Sequence, residues 1–374
     1  MRRIWKRSAR PRVSAVVALM AVVSLALLGV GAAGADATVA VNCVADSTAL
    51  ATALASPSLT DGTTLAITGT CTGSFEIAHS LTLAGSGGAT LDGQGVGTVV
   101  TVDAGETVSV SGLTITSGHG SGATFFPVGG VLNFGTLTLT HSMVSGNSAG
   151  GSFFTVGGIE NDGTLTLTHS SVSTNSDLAP SLAQGGIDNC ALAFACRLTL
   201  THSTVSGNSA TATCSLCVAH NARGGITNQP GGTITLVQTS VTDNSASAPG
   251  NAIGGVLNSD TLTVTNSTVS GNVANGGNAA IGGINNRGTL VVTHSTVNAN
   301  GATGGSFAAG GINNFSTLTV TNSTVSENSA SAPTGTAVGG ISNEVGGTPT
   351  LTNSTVVNNI PTNCDFSDPD CALP

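Results

Sequence analysis

Apolar and polar residues alternate along this chain in short bursts. Thr136-Leu137-Thr138-Leu139-Thr140 is strictly period two, and the segment after it continues as Ser142-x-Val144. Such bursts are rich in β-branched residues, the composition of half-buried strands. They end in polar turns after about five residues, too soon for helices. A glycine pair followed by Ile or Val recurs at 129, 157, 185, 224, 254, 282, 310 and 339, spaced by 28, 28, 39, 30, 28, 28 and 29 residues. Each unit reads GG-[IV]-x-N, a turn, a T-L-T-L-T-like strand and [HNQ]-[ST]-x-V-x-x-N. A period of this length signals a stacked repeat architecture.

Two asparagine columns follow from the repeat. The first holds Asn133, Asn161, Asn189, Asn228, Asn258, Asn286, Asn314 and Asn343; the second holds Asn147, Asn175, Asn208, Asn244, Asn272, Asn300, Asn328 and Asn359. Stacked coils would pair each strand with its copy in the next coil at roughly 4.7–4.9 Å. A buried polar column must then bond along its own stack, and an amide can donate to one neighbour while accepting from the other. The expected fold is all-β, a right-handed parallel β-helix of about 11 coils, capped at its N-terminus. Residues 65–120 read as irregular first coils with strands near Leu81-Leu83, Val99-Val102 and Val108-Ile115. The eight units fill 121–360, residues 36–64 read as the N-terminal cap, and 361–374 as a disulfide-clipped tail.

Charge changes the picture of what this rod can bind. Nine basic residues face eighteen acidic ones, but six of the nine lie in the first twelve positions. Beyond them only Arg197, Arg223 and Arg287 remain, a balance of −15 without a single Lys. Nucleic acid is therefore excluded as a partner, because phosphate neutralisation needs clustered cations. The basic start runs into an apolar stretch, Val13 to Ala33, and Ala33-Gly34-Ala35, which is the layout of a signal peptide over 1–35. No membrane insertion is expected after its cleavage. The chain reads as secreted or cell-surface, and eight cysteines beyond the leader suit that oxidising compartment. They group locally as Cys43 with Cys71, Cys190 with Cys196, Cys214 with Cys217, and Cys364 with Cys371. These are disulfide candidates; the middle four are also spaced for zinc.

The repeat boxes resemble those of polymorphic outer membrane proteins, within the right-handed parallel β-helix proteins of the pectin-lyase-like superfamily. Gly157-Gly158-Ile159-Glu160-Asn161 matches their GG-A-I-like box and Val172-Ser173-Thr174-Asn175 their F-x-x-N box, with Val replacing Phe. The resemblance covers roughly residues 65–360. It implies a β-helix and admits polysaccharide lyase or hydrolase chemistry. The uronate-gripping Arg–Lys set is missing, and Gly118-His119-Gly120 stands without the paired Asp of polygalacturonases.

Four constellations carry candidate chemistry. Glu160, Asp162 and Asp188 form an acidic cluster, with Glu160 and Asp188 at one repeat position in adjacent coils. Beside inward Ile159 and Ile187 they are expected to face solvent, as catalytic candidates or calcium ligands. Calcium is the one cofactor this suggests; none is required. His141, His169 and His202 also share a column, which reads either as metal ligands or as polar turn residues. Phe125, Phe126, Phe153 and Phe154 precede the glycine pairs and offer faces for sugar rings. Outward threonines form a grid, among them Thr136, Thr164, Thr261 and Thr317, similar to those of ice-binding solenoids. The primary reading is an exported, non-enzymatic surface or matrix protein for adhesion, with a glycan or a surface protein as partner. A polysaccharide-acting enzyme and an ice-binding solenoid are the alternatives.

Overall fold

The computed structural model describes residues 37–122, 126–151, 153–191, 195–214, 220–366 and 371. The leader, Phe125 and Cys217 lie outside them. The described chain is all-β apart from one short helix, Ala49–Leu54. Its strands build a parallel solenoid of about 11 turns over residues 38–357.

The first coils contribute to two sheets, and from about residue 154 onward each coil visits four. A 21-strand sheet holds two adjoining strand columns, Thr136–Thr140 and Met143–Ser145 in the first full unit. An eight-strand sheet begins at His119–Gly120, a seven-strand sheet at Phe154–Val156, and a ten-strand sheet at Phe75–Ile77. Register holds without a bulge through the units: Leu137 faces Leu165, Leu165 faces Leu198, and Leu198 faces Ile234. The 39- and 30-residue spacings therefore place their extra residues between strands.

The period-two pattern divides each strand between two environments. Leu137, Leu139, Val144 and Ile159, with their copies, fill the main core. The eight- and seven-strand sheets form an arm with a separate core of alanines, including Ala210, Ala222, Ala246 and Ala252. Alanine-sized side chains separate those two sheets through most of the arm, with the bonded pair Thr155 and Asp177 in the same inward columns at one coil. The glycine pair sits where the arm joins the main core. A Cβ on Gly158 would fall against the Gly186 carbonyl of the next coil, and one on Gly185 would meet the Ser209 carbonyl at 2.7 Å. Glycine recurs there because coil stacking leaves no room for a side chain.

Both asparagine columns are hydrogen bonded along their length. Asn133 Nδ2 donates to Asn161 Oδ1 at 2.6 Å, and the relay runs on through Asn258 to Asn286 at 2.8 Å. In the second column Asn244 Nδ2 donates to Asn272 Oδ1 at 2.9 Å, and Asn272 passes the pattern to Asn300 at 2.9 Å. A third ladder runs through hydroxyls: the Ser142 N–H donates to Ser170 Oγ at 3.1 Å, and the Ser267 N–H to Ser295 Oγ at 3.0 Å. The residue before each of these hydroxyls, His141 or Asn266 for example, takes left-handed φ angles of 47° and 48°. Asn tolerates that conformation well, and it turns the chain between the two columns of the large sheet.

At the last coil, bridges cover several open edges. Ile360 pairs with Ser329, Cys364 with Ile341 and Cys371 with Val356. Thr348–Thr352 pairs with Thr317–Thr321 and, among the described residues, with no strand beyond. Thr348 donates its N–H inward to Ser316, so position 349 points outward, and it is a proline.

Disulfides join Cys43 to Cys71, Cys190 to Cys196 and Cys364 to Cys371. Cys214 is also disulfide-bonded. Zinc ligation by Cys190, Cys196 and Cys214 is thereby overturned, since a bonded sulfur is no thiolate ligand. These disulfides suit an extracytoplasmic protein. No helix among the described residues is long and apolar enough to cross a membrane.

Candidate functional site

On the concave side of each glycine pair, the residue before it meets the middle residue of the following strand. Ile253, Leu257, Ile281 and Ala309 form one apolar cluster of this kind. Coil by coil, the facing pairs are Val156/Glu160, Gln184/Asp188, Arg223/Thr227, Ile253/Leu257, Ile281/Asn285 and Ala309/Asn313. The groove between arm and main core thus changes from carboxylates and amides, through a guanidinium, to an apolar floor with amides.

The acidic end corrects the solvent-facing expectation. Glu160 and Asp188 are 0% exposed and Asp162 only 8%. Alternation does point Glu160 away from Ile159, but the arm and the chain around the Cys190–Cys196 disulfide cover that face. Burial is the largest cause holding the Glu160 carboxyl well above the usual range; Asp188 and Asp162 add to it, and the Ala191 amide opposes it. Among the described residues, neither Glu160 oxygen has a geometrically sound hydrogen-bond partner. Asp188 is better served: Gln184 Nε2 donates to its Oδ2 at 2.6 Å, and Gln229 Nε2 reaches Oδ1 at 3.3 Å. Gln184 in turn accepts from Thr227 Oγ1 at 2.6 Å. Burial still pushes Asp188 up to about 7, against the pull of the Arg223 guanidinium and Gln229. Asp177, in the arm beside this network, is likewise pushed to about 7 by burial, despite bonds from Thr155 Oγ1 and the Gln184 N–H.

Among the described residues, no group of three or more His, Cys, Asp or Glu side chains is placed to hold a metal ion. The His141, His169 and His202 rings stack face to face on an exposed edge, with centroids 5.1 and 4.8 Å apart. Parallel rings do not converge on a shared centre. His119 Nδ1 lies 2.8 Å from Ser148 Oγ in the next coil, so that imidazole is engaged within the solenoid.

The open part of the groove lies further along. A cleft of about 320 Å³ spans Asn251 to Glu344, with Phe307 on the arm side and Phe315 beyond the ten-strand sheet. Arg287 lies over the Phe315 ring at 5.7 Å, a cation–π arrangement. Asn313 presents a buried Oδ1 that no donor satisfies. Glu344, on the same wall, is raised by burial and then by Asp365. Of the four phenylalanines singled out from sequence, Phe125 lies outside the described residues. Phe126 and Phe154 meet edge to face at 4.4 Å, and Phe153 is 64% exposed. Phe154 shares the arm column of Phe307, several coils away from the cleft. The sequence reading missed Arg287, Phe307 and Phe315. Tracking the residue after each first-column asparagine, which gives Phe134, Asp162, Cys190, Gln229, Ser259, Arg287, Phe315 and Glu344, would have exposed one wall.

No family model, curated protein or solved structure matches this chain.

Proposed function

We propose that the protein is an exported, non-enzymatic solenoid that makes contact with glycan through the cleft spanning Asn251 to Glu344. One observation carries this reading: two phenyl rings, a guanidinium and several side-chain amides line one open cleft on a rigid scaffold. Phenyl faces cover the apolar C–H faces of sugar rings, and amides and Arg supply paired donors and acceptors to hydroxyls. Export rests on the leader pattern together with the disulfides.

A glycan array and a polysaccharide-cleavage screen, each with and without calcium, test the reading. Binding is expected with no product, and Phe315→Ala together with Phe307→Ala should weaken it by about 2 kcal/mol or more. Product formation that disappears in Glu160→Gln would replace this reading with a polysaccharide-acting enzyme.

A second reading has its own observation. Across eight coils, 21 of 24 outward positions on the first column of the large sheet are threonine, interrupted at Arg197, Val237 and Val291. A hydroxyl and methyl grid in unbroken strand register, charged only at Arg197, suits a repetitive lattice such as ice. Thermal hysteresis of the purified protein tests it.

A further inference from the structure

Arg223 and Arg287 are two of the three cations beyond the leader, and both line one cavity of about 80 Å³. Asn221, Asn251, Ile253 and Leu257 complete its walls; Asn251, Ile253 and Arg287 also line the larger cleft. Burial disfavours the charge on Arg223, Asp188 favours it, and the nearby Arg287 guanidinium opposes it further. Neither forms an ion pair among the described residues, where His79–Asp61 is the only salt bridge. Glu344, the acid of the larger cleft, is not paired with Arg287. Arg223 Nη1 is shut off from solvent without a hydrogen-bond acceptor among the described residues. Arg287 stacks on Phe315, an arrangement that occupies its π-face and leaves its in-plane N–H groups available.

The amides are turned the same way. Asn221 Oδ1 accepts from the Asn251 N–H at 3.2 Å, and Asn251 Oδ1 accepts from Asn278 Nδ2 at 3.1 Å. With both oxygens engaged, each NH₂ group is left to donate. In a body of net charge −15, two cations, two amide donors and an apolar floor line one cavity that has no acid among its walls; Asp188, the carboxyl that acts on Arg223, is not one of the lining residues and is bonded by Gln184 and Gln229. Like charges brought together over apolar side chains are unfavourable unless an anion offsets them.

We propose that this cavity is a binding site for a compact oxyanion, a carboxylate or sulfate group, held by Arg223 and Arg287 with Asn221 and Asn251 as further donors. Guanidinium forks bind such groups in a bidentate, planar manner that chloride cannot match. The site does not depend on the cleft taking a sugar, because a free oxyanion suffices to fill it.

Isothermal titration and thermal melts with sodium sulfate and sodium acetate, against sodium chloride at matched ionic strength, test the proposal. Saturable binding and a rise in melting temperature are expected, since a ligand that binds only the folded state stabilises it. Arg287→Gln should weaken binding by about ten-fold or more. Arg287 is exposed, so this variant should fold, which its circular dichroism checks. Asn251→Asp should abolish binding by placing a carboxylate in the cavity, whereas Arg197→Gln, which removes the remote third cation, should leave it intact. Tighter binding of trigalacturonate than of sulfate would assign the oxyanion to a sugar acid; equal binding would assign it to a free anion. A wild-type protein with no saturable response, or a folded Arg287→Gln that binds within about two-fold of wild type, would overturn the site.

Discussion

Glu160 is a fully buried carboxyl whose oxygens find no sound donor among the described residues, and that makes the charged form expensive. With Asp188 and Asp177, it binds protons more tightly in the folded chain than in the unfolded one. Unfolded carboxyls titrate near pH 4, roughly. Stability from these groups is therefore fully present below that pH and falls as pH rises through about 7, where Asp177 and Asp188 titrate. The slope should be on the order of 1 kcal/mol per pH unit for each carboxyl. Melts at pH 5 and pH 8 should show the acidic sample more stable. Glu160→Gln should gain at pH 8 and flatten the slope; a steeper slope would contradict the burial argument. The shared column of Glu160 and Asp188 was legible in the sequence. Their burial was not, because alternation reports which side of a strand a residue takes and not what later covers that side.

At the scale of the element, the asparagine ladders set how strictly coils must align. Asn272 accepts from the Asn244 N–H and Nδ2 through its Oδ1, and donates to the Val241 carbonyl and Asn300 Oδ1. An aspartate keeps the shape and the acceptors but loses both donors, and it buries a charge. Asn272→Asp should cost about 3 kcal/mol or more at neutral pH, read by denaturant unfolding, and recover part of this in acid. A loss below about 1 kcal/mol would show the ladder to be slack. These columns were visible as a repeat of Asn at fixed offsets, since a buried amide stack demands the same residue in every coil. The hydroxyl ladder of Ser142, Ser170 and Thr239 was not singled out, because Ser and Thr abound at exposed positions here and their burial depends on the turn made by the residue before them. The cleft was hidden for a related reason: Phe307 lies in the seven-strand sheet and Phe315 just past a strand of the ten-strand sheet, and the bend at the glycine pair brings them together.

Over the whole molecule, the threonine sheet would act as a unit. One lysine in its middle would add a hydrated charge and interrupt the grid on every side, with little effect on the core beneath. Thr263→Lys should therefore abolish any thermal hysteresis while shifting the melting temperature by only about 2 °C or less. Undiminished hysteresis in that variant would remove the lattice reading. The strand pattern, the repeat period and the stacking direction were all legible because a solenoid writes its fold once per coil, and eight near-copies average out local ambiguity.

The outward position of Pro349 matters for the life of the chain among its own kind. In the vocabulary of polymers, each coil is a monomer added to a growing ladder, and the last rung of the threonine column is where another molecule's strand could carry on the growth. Pro349 acts there as a terminating unit: it offers no N–H to an incoming strand. A sequence that repeats so faithfully, with long flat sheets, would otherwise be a natural seed for fibres. One imino acid on the exposed rung, together with the bridges at Ile360, Cys364 and Cys371, works against such open-ended growth.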